Sequence, residues 1–591
     1  MSDTAQCASC TNGINRGKLN SLFTVSAITL AVLISYIFGV DGELVGDSRE
    51  LIIGNSTIHE PWDIWKIWTN NYWGDVLFAG NYRPLAVWTY ALNYRFNTAM
   101  GLAADSTWTY RLVNILFHVG VVWAVYKLAG LWGLGEKGKW WAAIAFAWHP
   151  LHVEAVTSVV GRAECIAALA GIGFVYSHRL QQTGWAGLLL LLSMWGKESG
   201  VAFVAVGVWA DWCWGTFRIQ RMLKAYGFYA IIIIAWVGWR YYALAGQGVV
   251  VEVLDNPLAD ADIGTRIRTA IAIQGQYVKL MVWPFGFSSD YSFAQLALVK
   301  DWSDPRWYIP ALLTTGGTWG VWQLRSRFVA TAWGAYWLLA LPTANLLILI
   351  GTIMGERLVY APSIMAAILW GWCAEVALRS WPRVGSGLLA TTLVIWCALC
   401  VQRTETWQNR DIYHRAQLQD APASARAHLG MGVLYLEVGQ VDSALNYLSS
   451  AVSIYPNYAE AQYNWGVGLS YTGNWPAARK KFERAVSLNA SLYQAWYNLG
   501  LARHKTGDLV GAVLAYERAL GLRGEDAETW YNMGEAQWQL GRPEEAVESL
   551  MVACELKPEW RGGWERLAEL AQRQKNKKSE MYAREKLRVL P

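Results

Sequence analysis

The chain has 591 residues, of which 54% are hydrophobic and 16% are charged, and its formal net charge is +5. This composition is too apolar for an ordinary soluble enzyme of this length. The small net charge, without a basic stripe that carries interleaved aromatic residues, excludes nucleic acid as a partner. We therefore expect a membrane domain joined to a smaller soluble part.

The amino-terminal part of the chain predicts a short tail and a membrane anchor. Residues 1–18 are polar and end in basic residues, which predicts a cytoplasmic tail before a first span over about 19–40. The acidic segment that follows begins a large first external loop, 41–106. Its many tryptophans, from Trp62 to Trp73, are typical of helices that lie in the membrane interface.

Further apolar runs predict a polytopic membrane domain over residues 19–403. Basic and acidic loops alternate along it, which predicts about eleven spans with the carboxyl terminus outside. The run Trp185–Trp209 is divided into two short spans at Gly196–Gly200, and one span is expected over Phe328–Ile350. Arg266–Trp283 is expected to be a re-entrant or interfacial helix, because a full crossing would upset the alternation of the loops.

Residues 404–591 predict a soluble α-solenoid, so the fold class is all-α. Small residues recur there at one constant spacing: Gly439, Gly473, Gly507 and Gly541, with Ala444, Ala478, Ala512 and Ala546. Each glycine is suited to end a first helix, and each alanine lets a second helix pack closely against it. The spacing matches the tetratricopeptide repeat, whose helix pairs stack into a superhelix. The last unit, Trp560–Pro591, has Lys575 in place of the glycine and is highly charged, as a terminal cap should be.

The stretch His149–Glu164, HPLHVEAVTSVVGRAE, has two histidines, two glutamates and an arginine between apolar runs. Ionisable groups are costly in such sequence and usually face a protein interior or a watery cavity. Because similar polar stretches occur elsewhere in the chain, a functional cavity is favoured over a capped loop between helices. A metal site at His149, His152 and Glu154 is not expected, because Pro150 disturbs the helical presentation that an HxxH zinc site uses.

The order of motifs resembles the transmembrane and tetratricopeptide-repeat O-mannosyltransferases and their bacterial relatives. The motifs that carry the resemblance are DSRELIIGN (Asp47–Asn55), NYWG (Asn71–Gly74), YRPL (Tyr82–Leu85), HPLHVEAVTSVVGRAE, KESGV (Lys197–Val201), DNP (Asp255–Pro257), SSDYS (Ser288–Ser292) and GERLVYAPS (Gly355–Ser363). The resemblance implies a GT-C fold. It also implies a membrane glycosyltransferase that moves a mannose-like sugar from a polyprenyl or dolichyl phosphate carrier to Ser or Thr hydroxyls of exported proteins.

The chemistry of such a transfer assigns roles to residues of these motifs. A leaving phosphate anion requires positive groups where its charge grows. Arginine grips phosphate oxygens bidentately, which makes Arg162 and Arg357 the first choices. The acceptor hydroxyl must lose a proton, and Asp47 is the candidate catalytic base. The full set expected to bind the donor phosphate is Arg83, Arg162, Lys197, Arg357, His149 and His152. The carboxylates expected to orient the cations or to hold turns are Glu154, Glu164, Glu198 and Glu356. For each residue the alternative is a buried ion pair that only braces the loops.

The chain departs from the family pattern at one catalytic position. Relatives commonly have two adjacent acids where this chain has Asp47 and Ser48. Ser48 can at most donate a hydrogen bond that keeps Asp47 ionised. Either one acid suffices, or Asp41, Glu43 or Glu50 helps, or catalysis has been lost. In the last case the protein would be a degenerate membrane anchor whose repeats recruit partners.

The expected partners follow from these assignments. They are the lipid-linked sugar, membrane lipids, and an acceptor or partner protein in the tetratricopeptide groove. No cofactor is expected beyond the lipid-phosphate-linked sugar that serves as donor, and a divalent metal, although possible, is not expected. The repeats and the polar stretches are expected on the same, exoplasmic side of the membrane. The short repeat array without a retention tail favours a bacterial inner membrane over the endoplasmic reticulum.

Overall fold

The computed structural model describes residues 23–590, except residues 75, 77–79 and 217 and the side chain of Arg221. The predicted tail, residues 1–18, therefore lies outside the described residues. Every regular element within the described ranges is a helix, which confirms the all-α fold class. The chain divides into two compact units, with the boundary between residues 422 and 423.

The first unit contains the motifs and most of the apolar helices. Its core lies where apolar side chains such as Phe146, Ile172 and Ile364 pack together, each at most 1% exposed. The helices are α1 (Phe23–Gly39), α2 (Asp47–Arg49), α3 (Ile64–Thr69), α4 (Pro84–Ala99), α5 (Thr107–Leu131), α6 (Glu136–Trp148), α7 (Val153–Thr157), α8 (Arg162–Arg179), α9 (Thr183–Gly196), α10 (Ala202–Cys213), α11 (Ile219–Ala243), α12 (Ile263–Val282), α13 (Pro305–Leu324), α14 (Arg327–Ala340), α15 (Tyr360–Ser380), α16 (Pro382–Glu405) and α17 (Arg410–Asp420).

Five helices in the described part of the chain are long and apolar enough to cross a membrane: Thr107–Leu131, Val159–Arg179, Met222–Ala243, Glu356–Ser380 and Pro382–Glu405. Helices α1 and α9 are apolar but shorter. The predicted number of about eleven spans is therefore not confirmed. Several predicted spans correspond to short helices, such as α6 with 13 residues. A helix of that length rises only about 20 Å, less than the roughly 30 Å of a bilayer core.

Three local predictions can be compared with the helix boundaries. The predicted split of Trp185–Trp209 is confirmed, because α9 ends at Gly196 and α10 begins at Ala202. The predicted span Phe328–Ile350 is wrong in its length, because α14 ends at Ala340. Pro342 follows that end and lacks the N–H that a continuing helix needs. The segment predicted as helix over Arg266–Trp283 is helical up to Val282, where α12 ends.

The first loop contains more helix than was predicted. Helix α4, which sequence reasoning missed, has 16 residues and begins with Pro84, a residue favoured in the first turn of a helix. The tryptophan-rich segment forms α3, flanked by Trp62 and containing Trp65, which are 72% and 63% exposed. Exposed indoles at a helix of this kind suit a membrane interface.

The second unit is the predicted array of helix pairs. Its helices are α18 (Ala425–Glu437), α19 (Val441–Ile454), α20 (Ala459–Tyr471), α21 (Trp475–Leu488), α22 (Tyr493–Lys505), α23 (Leu509–Leu522), α24 (Ala527–Gln539), α25 (Pro543–Leu556), α26 (Arg561–Gln574) and α27 (Lys577–Val589). The four recurring glycines follow first helices with φ of 74°, 78°, 83° and 76°, and the four recurring alanines are fully buried. Lys575 takes the same left-handed conformation, with φ of 64°. The array begins at residue 423, later than the predicted 404, because α17 groups with the first unit.

Candidate active site

Arg357 lies between two carboxylates at the end of the first unit where the motif loops meet. Its Nη2 is 3.5 Å from Asp47 Oδ2, and its Nε is 3.5 Å from Glu154 Oε1. The main-chain N–H of Arg357 also donates to Glu154 Oε2 at 2.9 Å. The side chains of Arg357 and Asp47 are 31% and 43% exposed. The predicted base and one predicted phosphate-binding cation are therefore adjacent and both accessible.

Asp47 is held by the chain on either side of it. Leu44 and Val45, just before it, are 6% and 2% exposed. Gly46 has a φ of 54°, and a Cβ atom there would lie 3.2 Å from the Tyr413 hydroxyl. Glycine adopts this left-handed conformation without the cost that other residues meet. The turn at Gly46 therefore directs the Asp47 side chain away from the buried residues Leu44 and Val45 and toward Arg357.

Arg83 and Glu198 form a second ion pair at this end. Arg83 Nε donates to Glu198 Oε2 at 3.0 Å, and the guanidinium lies 5.0 Å from the centre of the Tyr72 ring. The Tyr82 N–H donates to Glu198 Oε1 at 2.6 Å. Burial by itself would raise the pKa of Glu198, but the Arg83 charge and the Tyr82 N–H outweigh it and hold the pKa below its ordinary value. Glu198 is thus a fixed anion that orients Arg83.

Lys197 and Glu164 form a third pair, in which Nζ donates to Glu164 Oε1 and both residues are 6% exposed. Burial lowers the pKa of the Lys197 ammonium, and the charges of Arg83 and Arg357 add to this lowering, although Glu164 opposes it. Since the charges of Arg83 and Arg357 both act on Lys197, and Glu164 acts on both arginines, the three pairs form one electrostatic cluster. We call the following residues the ion-pair cluster: Asp47, Arg83, Glu154, Glu164, Lys197, Glu198 and Arg357.

Glu356 has a different partner from the other predicted carboxylates. It is fully buried, and its Oε2 accepts from Arg403 Nη2 at 2.7 Å. Its Oε1 accepts from the Ser288 N–H and from the Tyr291 hydroxyl, both at 3.0 Å. Glu356 thereby joins the SSDYS motif to the end of α16. Arg403 was missed by sequence reasoning, because it lies in no motif and follows an apolar run as an ordinary flanking residue.

Arg162 is not exposed at the ion-pair cluster, although it was a first choice for the phosphate. Arg162 is fully buried, with 0% of the residue exposed. Its Nε donates to Asn114 at 2.8 Å, its Nη1 to the Thr89 hydroxyl at 3.3 Å and its Nη2 to the Tyr110 carbonyl at 2.9 Å. The guanidinium also lies 4.5 Å from the centre of the Tyr90 ring. In this geometry a phosphate cannot reach Arg162, which instead ties α8 to α4 and α5.

A stability measurement tests this structural role of Arg162. Arg162→Met should leave the buried Asn114 Oδ1 without its donor, which costs about 1–3 kcal/mol. We expect a lower melting temperature for the variant in detergent, measured by tryptophan fluorescence. Arg415→Met, at an exposed arginine of α17, is the control and should melt like the parent protein. An unchanged melting temperature, combined with weaker donor binding, would return Arg162 to the phosphate site.

The two histidines also lack free ring nitrogens. His149 Nδ1 accepts from the Leu151 N–H at 3.2 Å, and its Nε2 is 3.1 Å from the Met281 carbonyl. His152 Nδ1 lies 2.7 Å from the Phe146 carbonyl, and its Nε2 lies 2.7 Å from the Ser363 hydroxyl. The two residues are 7% and 1% exposed. These contacts hold helices together and leave neither ring nitrogen for a phosphate.

The hydrogen bond from Ser48 to Asp47 that was considered from the sequence is not formed. Ser48 is 1% exposed and its Oγ is 3.5 Å from Ser158 Oγ, so its side chain points into the core. The alternative carboxylates lie elsewhere along the loop. Glu43 Oε2 accepts from the Arg410 N–H at 3.3 Å, and Asp41 Oδ1 accepts from the N–H of its neighbour. Of the loop carboxylates, Asp47 is therefore the one that the structure pairs with Arg357.

Comparisons with known proteins agree with both units. Tetratricopeptide-repeat models match residues 425–458, 463–527 and 527–559. A protein O-mannosyl-transferase of Caenorhabditis elegans is 25% identical over 468 residues, covering 76% of this chain and 64% of the relative. The human protein O-mannosyl-transferase TMTC4 is 25% identical over 482 residues, covering 69% of this chain and 63% of the relative.

Two further proteins match shorter parts of this chain. The human protein O-mannosyl-transferase TMTC2 is 30% identical over 295 residues, covering 43% of this chain and 34% of the relative. A solved structure of MamA from Desulfovibrio magneticus RS-1 is 23% identical with a TM-score of 0.27, covering 28% of this chain and 94% of its own. The chain spans less than two thirds of the length of these curated relatives. It is similar to protein O-mannosyl-transferases and carries tetratricopeptide repeats.

Proposed function

We propose that this chain, similar to protein O-mannosyl-transferases over 76% of its length, is a membrane glycosyltransferase of the GT-C type. Its donor is a mannose-like sugar on a polyprenyl or dolichyl phosphate, and its acceptor is a Ser or Thr hydroxyl of an exported protein. The observation that carries the proposal is the contact between Asp47 and Arg357, in which an accessible carboxylate lies 3.5 Å from an accessible guanidinium. Asp47 can therefore remove the proton of the acceptor hydroxyl next to Arg357, which can stabilise the negative charge of the leaving phosphate.

The transfer step divides between these two groups. The acceptor oxygen forms a bond to the anomeric carbon of the sugar while Asp47 accepts the hydroxyl proton. The bond from that carbon to the phosphate oxygen breaks, and its electron pair leaves with the lipid phosphate. The growing negative charge is stabilised by fixed cations, which lower the barrier because they need no reorientation during the reaction.

Three cations of the ion-pair cluster are suited to the leaving phosphate. Arg83 contacts Glu198 through Nε, and no protein hydrogen bond within the described residues engages its Nη1 or Nη2. Lys197 gives one of its three N–H groups to Glu164. Arg357 uses Nε and Nη2 on Glu154 and Asp47, with Nη1 left over. Each cation is thus oriented by a carboxylate and retains donors for phosphate oxygens.

An apolar cavity of about 560 Å³ supports the lipid part of the donor. It lies between α4, α5, α8 and α9, and its lining includes Thr89 and Leu85, which follows Arg83 by two residues. Along α8 it extends from Ile166 to Ser177, which at 1.5 Å per residue corresponds to roughly 16 Å. We propose that the first isoprene units of the carrier lie in this cavity when its phosphate contacts Arg83.

The tetratricopeptide array is proposed to bind the acceptor or a partner protein. Repeat arrays of this kind present an extended concave surface, suited to a polypeptide segment. The alternation of basic and acidic loops supports a position of the array and of the ion-pair cluster on the same, exoplasmic side. A bacterial inner membrane remains the proposed location.

A topology reporter tests that arrangement. A phosphatase that folds only outside the cytoplasm, fused after residue 591, should be active, and the same enzyme fused after Lys137 should be inactive, because Lys137 lies in a predicted cytoplasmic loop. Activity of the second fusion without the first would reverse the proposed orientation.

The proposed function is tested by transfer in a purified system. The full chain in detergent or liposomes is incubated with a radiolabelled polyprenyl-phosphate mannose and Ser/Thr-containing acceptor peptides. We expect label in the peptide that resists removal with the lipid and is released by alkaline elimination from Ser and Thr. If donors of several sugars and lipid lengths give no product while the protein binds peptides or partners, the protein is a membrane anchor whose repeats recruit other proteins.

A further inference from the structure

Arg111 is a buried arginine near the start of α5 to which no role has been assigned so far. It is 2% exposed, and no carboxylate among the described residues lies within ion-pair distance of it. A buried charge without a counter-ion is costly unless its hydrogen-bond donors are satisfied. The partners of Arg111 therefore indicate why the charge is kept.

These partners are four main-chain carbonyls from two separate segments. Nη1 donates to Gly39 at 3.0 Å and to Asp41 at 2.8 Å, and Nη2 donates to Glu43 at 3.0 Å and to Trp407. The Gly39 carbonyl ends α1, and the Asp41 and Glu43 carbonyls belong to the start of the loop that carries Asp47. The fourth belongs to the link between α16 and α17.

Helix ends explain how carbonyls alone can balance the charge. Gly39 is the last residue of α1, and Trp407 follows the end of α16 at Glu405. The carboxyl end of a helix carries partial negative charge on its unpaired carbonyls, and a cation there is stabilised. Arg111 thus joins the ends of two helices that are far apart in the sequence.

The two segments also contact each other directly. The Glu43 N–H donates to the Gln408 carbonyl at 2.6 Å, and the Gln408 side chain donates to the Phe38 carbonyl at 3.1 Å. Gly42 has a φ of 130°, and a Cβ atom there would be 2.0 Å from the Gln408 oxygen. The segments are therefore in contact at a point where no side chain fits.

Both segments lead to the candidate base. Four residues after Glu43 comes Asp47, and the Tyr413 ring of α17 lies against Gly46. We propose that Arg111 is a positioning residue for Asp47: it holds the first loop and the α16–α17 link together as one support for that carboxylate. This inference rests on the proposed function for its catalytic consequence, but the support itself can be measured without activity.

Arg268 provides a matched control elsewhere in the first unit. It is 5% exposed and its Nε and Nη2 donate to the carbonyls of Val299 and Lys300 at 3.2 and 2.7 Å. Arg111→Lys and Arg268→Lys both remove a guanidinium fork from a carbonyl cluster. Only the first cluster supports Asp47.

The kinetic test separates positioning from general stability. Arg111→Lys should lower kcat by about tenfold or more and leave the donor KM within about twofold, since the phosphate-binding cations lie outside the support. Arg268→Lys should leave both constants unchanged. In the Asp47→Asn background, Arg111→Lys should have no further effect, because a residue that acts through Asp47 cannot act without it. An equal loss in both backgrounds would overturn the proposal.

Hydrogen exchange gives a readout that does not depend on transferase activity. Peptides covering residues 43–50 should exchange about tenfold faster in the full-length Arg111→Lys protein and at the parental rate in Arg268→Lys. If Arg111→Lys does not fold, Gly42→Ala disturbs the same contact from the opposite side and should give the same exchange pattern. Unchanged exchange in the folded variants overturns the proposal, whether or not the parent transfers sugar. An inactive parent with faster exchange in Arg111→Lys would reject the proposed function and keep the support.

Discussion

Asp47→Asn is expected to lower the turnover of sugar transfer by about a hundredfold or more, with donor binding nearly unchanged. Asparagine keeps the shape of the side chain, but it cannot accept the proton of the attacking hydroxyl. Asp47 is 43% exposed and begins a short turn of the first loop, so its replacement should not unfold the protein. The measurement is steady-state transfer from a lipid-linked sugar to a peptide, together with donor affinity.

Two further variants assign the effect to this carboxylate. Asp105→Asn changes an exposed carboxylate of the same loop and should leave turnover unchanged. Glu50→Gln addresses the alternative base, which follows Asp47 by three residues. Parental activity in Asp47→Asn with an inactive Glu50→Gln would move the base to Glu50.

Arg357→Lys is expected to reduce kcat/KM by about tenfold or more, although the positive charge is retained. In the parent, Nη2 lies 3.5 Å from Asp47 and Nε lies 3.5 Å from Glu154, so one planar group spans two carboxylates. An ammonium is a single point and cannot keep both distances while it also contacts a phosphate. The expected loss therefore includes weaker donor binding as well as slower transfer.

A second arginine, on the helix that follows Arg357, is the control. Arg379, near the end of α15, has a side chain that is 75% exposed and pairs with Glu375. Arg379→Lys should behave as the parent protein, because exposed ion pairs contribute little. Parental donor affinity and turnover in Arg357→Lys would show that Arg357 only braces Glu154.

The sequence by itself determined the fold class and the organisation of the second unit. Positions such as Gly439 and Ala444 recur because each repeat must turn at the same place and pack at the same place, so the pattern is visible without coordinates. Glycine is not required at every one of these turns, since Lys575 forms the same left-handed turn. Helix lengths in the membrane part were less predictable, because short helices such as α6 look like spans in an apolar run.

Motifs also located the carboxylates and cations of the candidate site, but the tertiary structure decided which of them meet. Arg162 and Arg357 look alike in sequence, each in a motif beside an apolar run. The first is fully buried among hydrogen-bond acceptors, and the second keeps 31% of its side chain exposed between Asp47 and Glu154. Burial depends on residues distant in the chain, such as Asn114 for Arg162, and no local pattern reports it.

Arg111 and Arg403 are the converse case: no motif marks them, and only their distant partners show their contribution to the site. Neither lies in a recognised motif, because an arginine near the end of an apolar helix is an ordinary flanking residue. Their partners, Trp407 for Arg111 and Glu356 for Arg403, are separated from them by 296 and 47 positions. Only the packing of α5, α15 and α16 brings these groups together, so their contribution to the site was decided by the tertiary structure.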